Sequence, residues 1–155
     1  MTNSSRIDFR RLYRDLMTDE RDTLISLGLD FLNERLAEVE TRIERLNAYL
    51  AQHYPDPSAI PITEAGRMQN YETERNLLES LLQASQDTPF IEVHRRRLFA
   101  ARQRVTQLLR KGRGSLDSAT LTARYQARLE QEILVDLRVK WLIWLRASRL
   151  YGNGR

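Results

Sequence analysis

Apolar residues recur along this chain at steps of three and four, the period of a helix that buries one face. The clearest run is Ile25, Leu29, Leu32, Leu36, Val39, Ile43, Leu46 and Leu50, followed by His53, with steps alternating between four and three. This is a heptad seam, and it predicts a helix over 19–53 with Thr18 or Asp19 as its cap. About 35 residues at about 1.5 Å each make a rod some 50 Å long. Such a rod cannot bury its seam alone and needs a second helix, from this chain or from another. Before it, Ile7, Phe9, Leu12, Tyr13 and Leu16 predict a short amphipathic helix over 5–17, with Ser5 and Asp8 in a weak capping arrangement.

Pro55, Pro57 and Pro61 stop the long helix. Thr63 then caps a third helix over 63–85, where Met68, Tyr71, Leu78 and Leu82 share a stripe widened by Leu77 and Leu81. The second and third helices read as an antiparallel, coiled-coil-like hairpin. A fourth helix over 89–111, opened by Pro89 at its first position, carries Ile91, His94, Leu98, Ala101, Val105 and Leu108. Gly112-Arg-Gly-Ser breaks the chain, and Ser115, Asp117 or Ser118 caps a last helix over 116–151 with Leu121, Tyr125, Leu129, Ile133, Leu137, Trp141 and Trp144. From Val135 to Trp141 apolar and charged residues alternate with the period of a strand. A lone strand would lack a partner, so helix is the expectation there, with Asp136 and Lys140 pairing four apart. The fold class expected is all-α: one domain over 1–155, an elongated bundle of about five helices.

Composition narrows the chemistry. The 155 residues are 41% apolar and 30% charged, with no cysteine. Thiol catalysis, thiolate metal sites and disulfides are therefore excluded. No stretch reaches the roughly 18 apolar residues of a membrane span, and the opening Met-Thr-Asn-Ser-Ser has no apolar signal core, so a cytoplasmic protein is expected. The two histidines, His53 and His94, lie on seam positions outside any Glu-x-x-His unit. They read as a helix-end residue and a core or interface residue, and no metal or cofactor is expected. Lys111-Gly-Arg-Gly-Ser lacks the P-loop spacing and follows a helix where a strand is required. No nucleophile-elbow motif is present, so no enzymatic activity is expected.

Charge changes the picture most. The formal net charge is +4, with arginine supplying nearly all of the cations. A genome rich in arginine codons gives the same bias, but the placement is informative. Residues 1–88 are net acidic and residues 89–155 strongly basic. Between Val93 and Leu116 there is no acid, against Arg95, Arg96, Arg97, Arg102, Arg104, Arg110, Lys111 and Arg113. On a helix, Arg97, Arg104 and Lys111 stand along one flank of the seam and Arg95 and Arg102 along the other, while Arg96 and Arg110 point outward. The rail is about 20 to 25 Å long and suits a nucleic-acid backbone, bound through released counterions and without base specificity. The competing expectation is that Glu34, Glu38, Glu40, Glu44, Glu72, Glu74 and Glu79 neutralise these cations within the chain.

Trp141 and Trp144, with Arg146 and Arg149, form a second candidate. The block is more apolar than an exposed helix requires and reads as core, as an anchor for a partner subunit, or as a membrane-surface element. In size, helical content and its arginine-rich face the chain resembles the small subunits of CRISPR RNA-guided surveillance complexes. That resemblance, one of general character over most of the chain, implies a subunit of a nucleoprotein assembly that holds RNA or DNA by its backbone. The alternative expectation is a coiled-coil adaptor or homo-oligomeric scaffold whose charges set the choice of protein partner.

Overall fold

A computed structural model describes Arg10, Arg11, Arg14, residues 20–111 and residues 117–152, with side chains to Ser148 in the last stretch. Four long helices are found among the described residues: α1 (Arg21–His53), α2 (Ile62–Ala84), α3 (Phe90–Lys111) and α4 (Ser118–Gly152), with a short 3-10 turn at Pro57–Ala59. No strand occurs among the described residues. Of the expected first helix over 5–17, only Arg10, Arg11 and Arg14 are described, and they are helical. Thr18, Asp19, Arg113 and the Gly112–Ser115 break lie outside the described residues.

Local chemistry explains where the elements begin and end. Asp117 caps α4, its carboxylate accepting the Thr120 N–H at 2.7 Å while its carbonyl accepts the Leu121 N–H. Asp56 caps the 3-10 turn through the Ser58 N–H at 3.0 Å, a bond that holds its carboxyl below the ordinary range. Two expected starts move. Pro61, not Thr63, sits at the N-cap of α2, and Pro89 stands just before α3, its carbonyl accepting the N–H groups of Glu92 and Val93. Proline serves at both places because it lacks the N–H that a helix start leaves unpaired. The alternating stretch 135–141 is helical, and Lys140 pairs with Asp136 at 2.8 Å as expected for four-residue spacing.

Helix α1 packs chiefly on α2, and α3 chiefly on α4. Phe90 meets Trp141 while His94, one turn on, meets Leu134, so α3 and α4 run antiparallel. The two pairs join through one aromatic cluster. Phe31 of α1 lies 5.4 Å from Phe90, 5.1 Å from Trp141 and 5.7 Å from Trp144, centroid to centroid. Such tilted and edge-on rings are favourable beyond their buried area. Gly28, one turn earlier, lets α1 approach α3: a Cβ there would stand 2.7 Å from the Phe90 Cβ. That is too close for any side chain.

The buried faces differ from the expected seams in a regular way. Val39, Ile43, Leu46 and Leu50 are buried as expected, but nearer the start of α1 the buried set is Leu24, Gly28, Phe31 and Leu32, with Ile25 and Leu29 only half-buried. A seam of strict heptads drifts about 20° per repeat around a straight helix, and this end of α1 must also meet α3 and α4. On α4 the effect is larger. Repeated four-residue steps advance about 40° each, so a stripe begun at Leu121 has crossed to the opposite face by Trp141. Leu121 and Tyr125 are exposed, whereas Leu134, Leu137, Trp141, Leu142 and Leu145 form the core.

The junction predicts two stability changes, both read by chemical denaturation with helix content followed by circular dichroism. Gly28→Ala should destabilise by about 1 to 3 kcal/mol despite the higher helix propensity of alanine, because the Phe90 backbone must move. Phe31→Ala should cost about 3 to 5 kcal/mol as a cavity at the junction.

Candidate nucleic-acid interface

The acid-free run falls on α3, whose apolar face, Phe90, His94, Leu98 and Ala101, is buried. With that stripe turned inward, Arg95, Arg96, Arg102, Arg104, Arg110 and Lys111 are all exposed. None of them ion-pairs with any described residue. The one acid on α3, Glu92, is turned away to Arg21 of α1 at 3.4 Å. From Arg95 to Lys111 the ridge rises about 24 Å along the helix axis.

Among the described residues no acid of the first half neutralises this ridge, and several of those acids have partners elsewhere. Arg35 of α1 takes Glu38 at 3.0 Å and Glu34 at 3.6 Å, and lies over the Phe31 ring. Glu34 also accepts the Trp144 indole N–H at 2.6 Å. Glu64 pairs with Arg67 one turn away. Glu74, half-buried on α2, has its carboxyl pushed up by burial, with the nearby charges of Lys140 and Arg42 opposing. Since α3 packs mainly on α4, the carboxylates of α1 and α2 do not reach its outer face.

Not every expected cation belongs to the ridge. Arg97 is half-buried against α2 and donates a hydrogen bond to the Ser80 hydroxyl, so it ties two helices together and is subtracted from the outward set. The other candidate cluster is mostly interior. Trp141 is only 2% exposed, Trp144 is half-buried and bonded to Glu34, and Arg146 is half-buried beside them. Trp141 thus lies in the core; the Arg149 side chain lies outside the described residues. No helix among the described residues is long and apolar enough to cross a membrane.

One residue of the ridge was absent from the sequence reading. Phe99 is 63% exposed, and it stands four residues after Arg95 and three before Arg102, on the same flank. The available signal was its position one residue beyond the Leu98 seam, off the buried stripe. Leu109, also exposed, lies near the other end beside Arg110. The ridge thus combines cations with an open aromatic ring.

His94 marks the inner side of α3. Its Nε2–H donates to the Leu134 carbonyl at 2.6 Å, and the ring is 4% exposed. Burial pushes its pKa below 6.5, and the positive charges of Arg138 and Arg102 push the same way, while the carbonyl bond opposes them. His53, by contrast, ends α1 with Nδ1–H donating to the Tyr49 carbonyl and its ring stacked on Tyr49. No group of three potential metal ligands gathers among the described residues. Comparison with protein-family models, curated proteins and solved structures finds no match to this chain.

The depressed pKa of His94 has a definite sign. An unfolded histidine takes up a proton near pH 6.5 while the folded one resists, so the stabilising contribution is complete above 6.5 and is lost as pH falls below it. The denaturation midpoint should therefore decrease between about pH 7 and pH 5. In His94→Gln that part of the decrease should disappear, although the variant is less stable at pH 7.

Proposed function

We propose that this protein is a non-enzymatic helical subunit that holds RNA or DNA by its phosphates along α3, within a nucleoprotein assembly. The observation that carries the reading is the ridge of six exposed cations without a carboxylate partner among the described residues. Unpaired guanidiniums on one face attract a polyanion at long range and release its counterions on contact. Arginine also offers a fork that matches phosphate oxygens. No recognition helix or zinc module supports reading of base sequence. The exposed Phe99 favours single strands, because only an unpaired base has a free face to stack on an isolated ring.

A salt titration with a single-stranded oligonucleotide tests this. The log–log slope of affinity against salt should be about −3 to −5, with little dependence on base sequence. Replacing Arg104, Arg110 and Lys111 by glutamine should flatten it by about 2 to 3 without changing helix content. No salt-sensitive binding at low ionic strength would remove the proposal. Phe99→Ala should weaken single-stranded binding about tenfold and leave the slope unchanged, whereas duplex binding should hardly respond.

A second reading, an adaptor that docks on other protein chains, is favoured by a separate feature. Val135, Val139 and Ile143, at four-residue spacing on α4, are 43%, 43% and 51% exposed. The α1 seam, expected to pack on a helix of this chain or of another, is largely used inside the chain, since Val39, Ile43 and Leu46 are buried there. If α4 is the contact, light scattering should show an oligomer that Val139→Asp converts to monomer.

A further inference from the structure

Where α3 begins, a cleft of about 650 Å³ opens between it and α4. Its rim carries four guanidiniums, Arg10, Arg14, Arg95 and Arg138, and no carboxylate among the described residues lines it. Arg14, Arg95 and Arg138 ion-pair with no described residue. Like charges gathered at one rim repel unless an anion sits among them. A packing role would have called for acids or for apolar side chains instead. The wall is apolar, with Ile91, Leu98, Trp141 and Leu142 contributing. In size and in this mixture of apolar wall and few polar groups, the cleft falls within the ordinary range of small-molecule sites.

We propose that this cleft is a binding site for a nucleotide phosphate, either a free mononucleotide or the phosphorylated terminal nucleotide of a strand. Several converging forks favour a phosphate, which can carry two charges and offers three oxygens, over a carboxylate with one charge. The apolar wall favours a phosphate attached to a flat organic body over the inorganic ion. Trp141 contributes indole atoms to this wall, and its N–H is itself buried away from the cleft. His94, also in the lining, is kept neutral and adds no charge. The site shares only Arg95 with the α3 ridge, so it stands or falls separately from binding along that helix.

The chain's two tryptophans make the test direct. In full-length Trp144→Phe, Trp141 is the sole indole and borders the cleft. Titration with adenosine 5′-monophosphate at low salt should give a saturable fluorescence change. Adenosine or inorganic phosphate alone should bind at least about tenfold more weakly. Arg14→Gln with Arg138→Gln, both exposed positions, should weaken the nucleotide about tenfold or more while leaving helix content unchanged. Arg104→Gln with Arg110→Gln should leave it unaltered and weaken only oligonucleotides. Oligonucleotides with and without a terminal phosphate separate the two sources: a preference for the phosphorylated end marks a strand terminus, and equal binding marks a free nucleotide. The proposal is overturned if the nucleotide gives no saturable signal up to about 10 mM, if the Arg14 and Arg138 variant binds it unchanged, or if decanoate binds more tightly.

Discussion

The contact of Phe31 with Phe90, Trp141 and Trp144 is the joint on which the architecture turns. Each of the two helix pairs buries its own seam, and hydrogen bonds from Arg97 to Ser80 and from Tyr125 to Asn70 link α2 to α3 and α4. The aromatic junction sets one ring from α1 among three rings of α3 and α4, made possible by the missing side chain at Gly28. Aromatic side chains bury large areas with few rotatable bonds, so a small junction of this kind can orient long helices at modest entropic cost. Glu34 extends the joint to the surface by accepting the Trp144 N–H, and Arg35 covers it from the Phe31 side.

That joint also decides the electrostatics. Because α3 faces α4 over most of its length, no described carboxylate of α1 or α2 pairs with its six outward cations, and Glu38 and Glu64 instead meet arginines of their own helix one turn away. Exposed pairs of that kind contribute little to stability. The cations of α3 are left in water, where each is individually well solvated and together they raise a positive potential. The same segregation leaves the mouth of the α3–α4 cleft lined by arginines, with no acid among the described residues there.

Much of this was legible in the residue pattern. The four described helices, their proline breaks, the Asp117 cap and the Asp136–Lys140 pair follow from local rules of spacing and capping. The seams were legible only over short spans. Ile25 and Leu29 fell off the buried face of α1, and Leu121 and Tyr125 off that of α4, because a repeat not commensurate with 3.6 residues precesses around the helix. Phe31 and Phe99 escaped notice for the same reason in opposite senses. One lay beside a good seam and is fully buried, and the other lay beside a good seam and is open. Arg14 and Arg138, far apart in the chain, carried no local signal that they border one cleft.

By itself the sequence determined the helical class, the absence of thiol chemistry and the separation of acidic from basic segments, since these depend on residue type and near-neighbour spacing alone. Which charges remain unpaired, which aromatic rings are interior and where a cleft forms were decided by the tertiary structure. The physical reason is that Coulomb attraction and apolar burial act between whichever surfaces come within a few ångströms. Helix periodicity says which face of each rod is apolar, but not which rod it will meet.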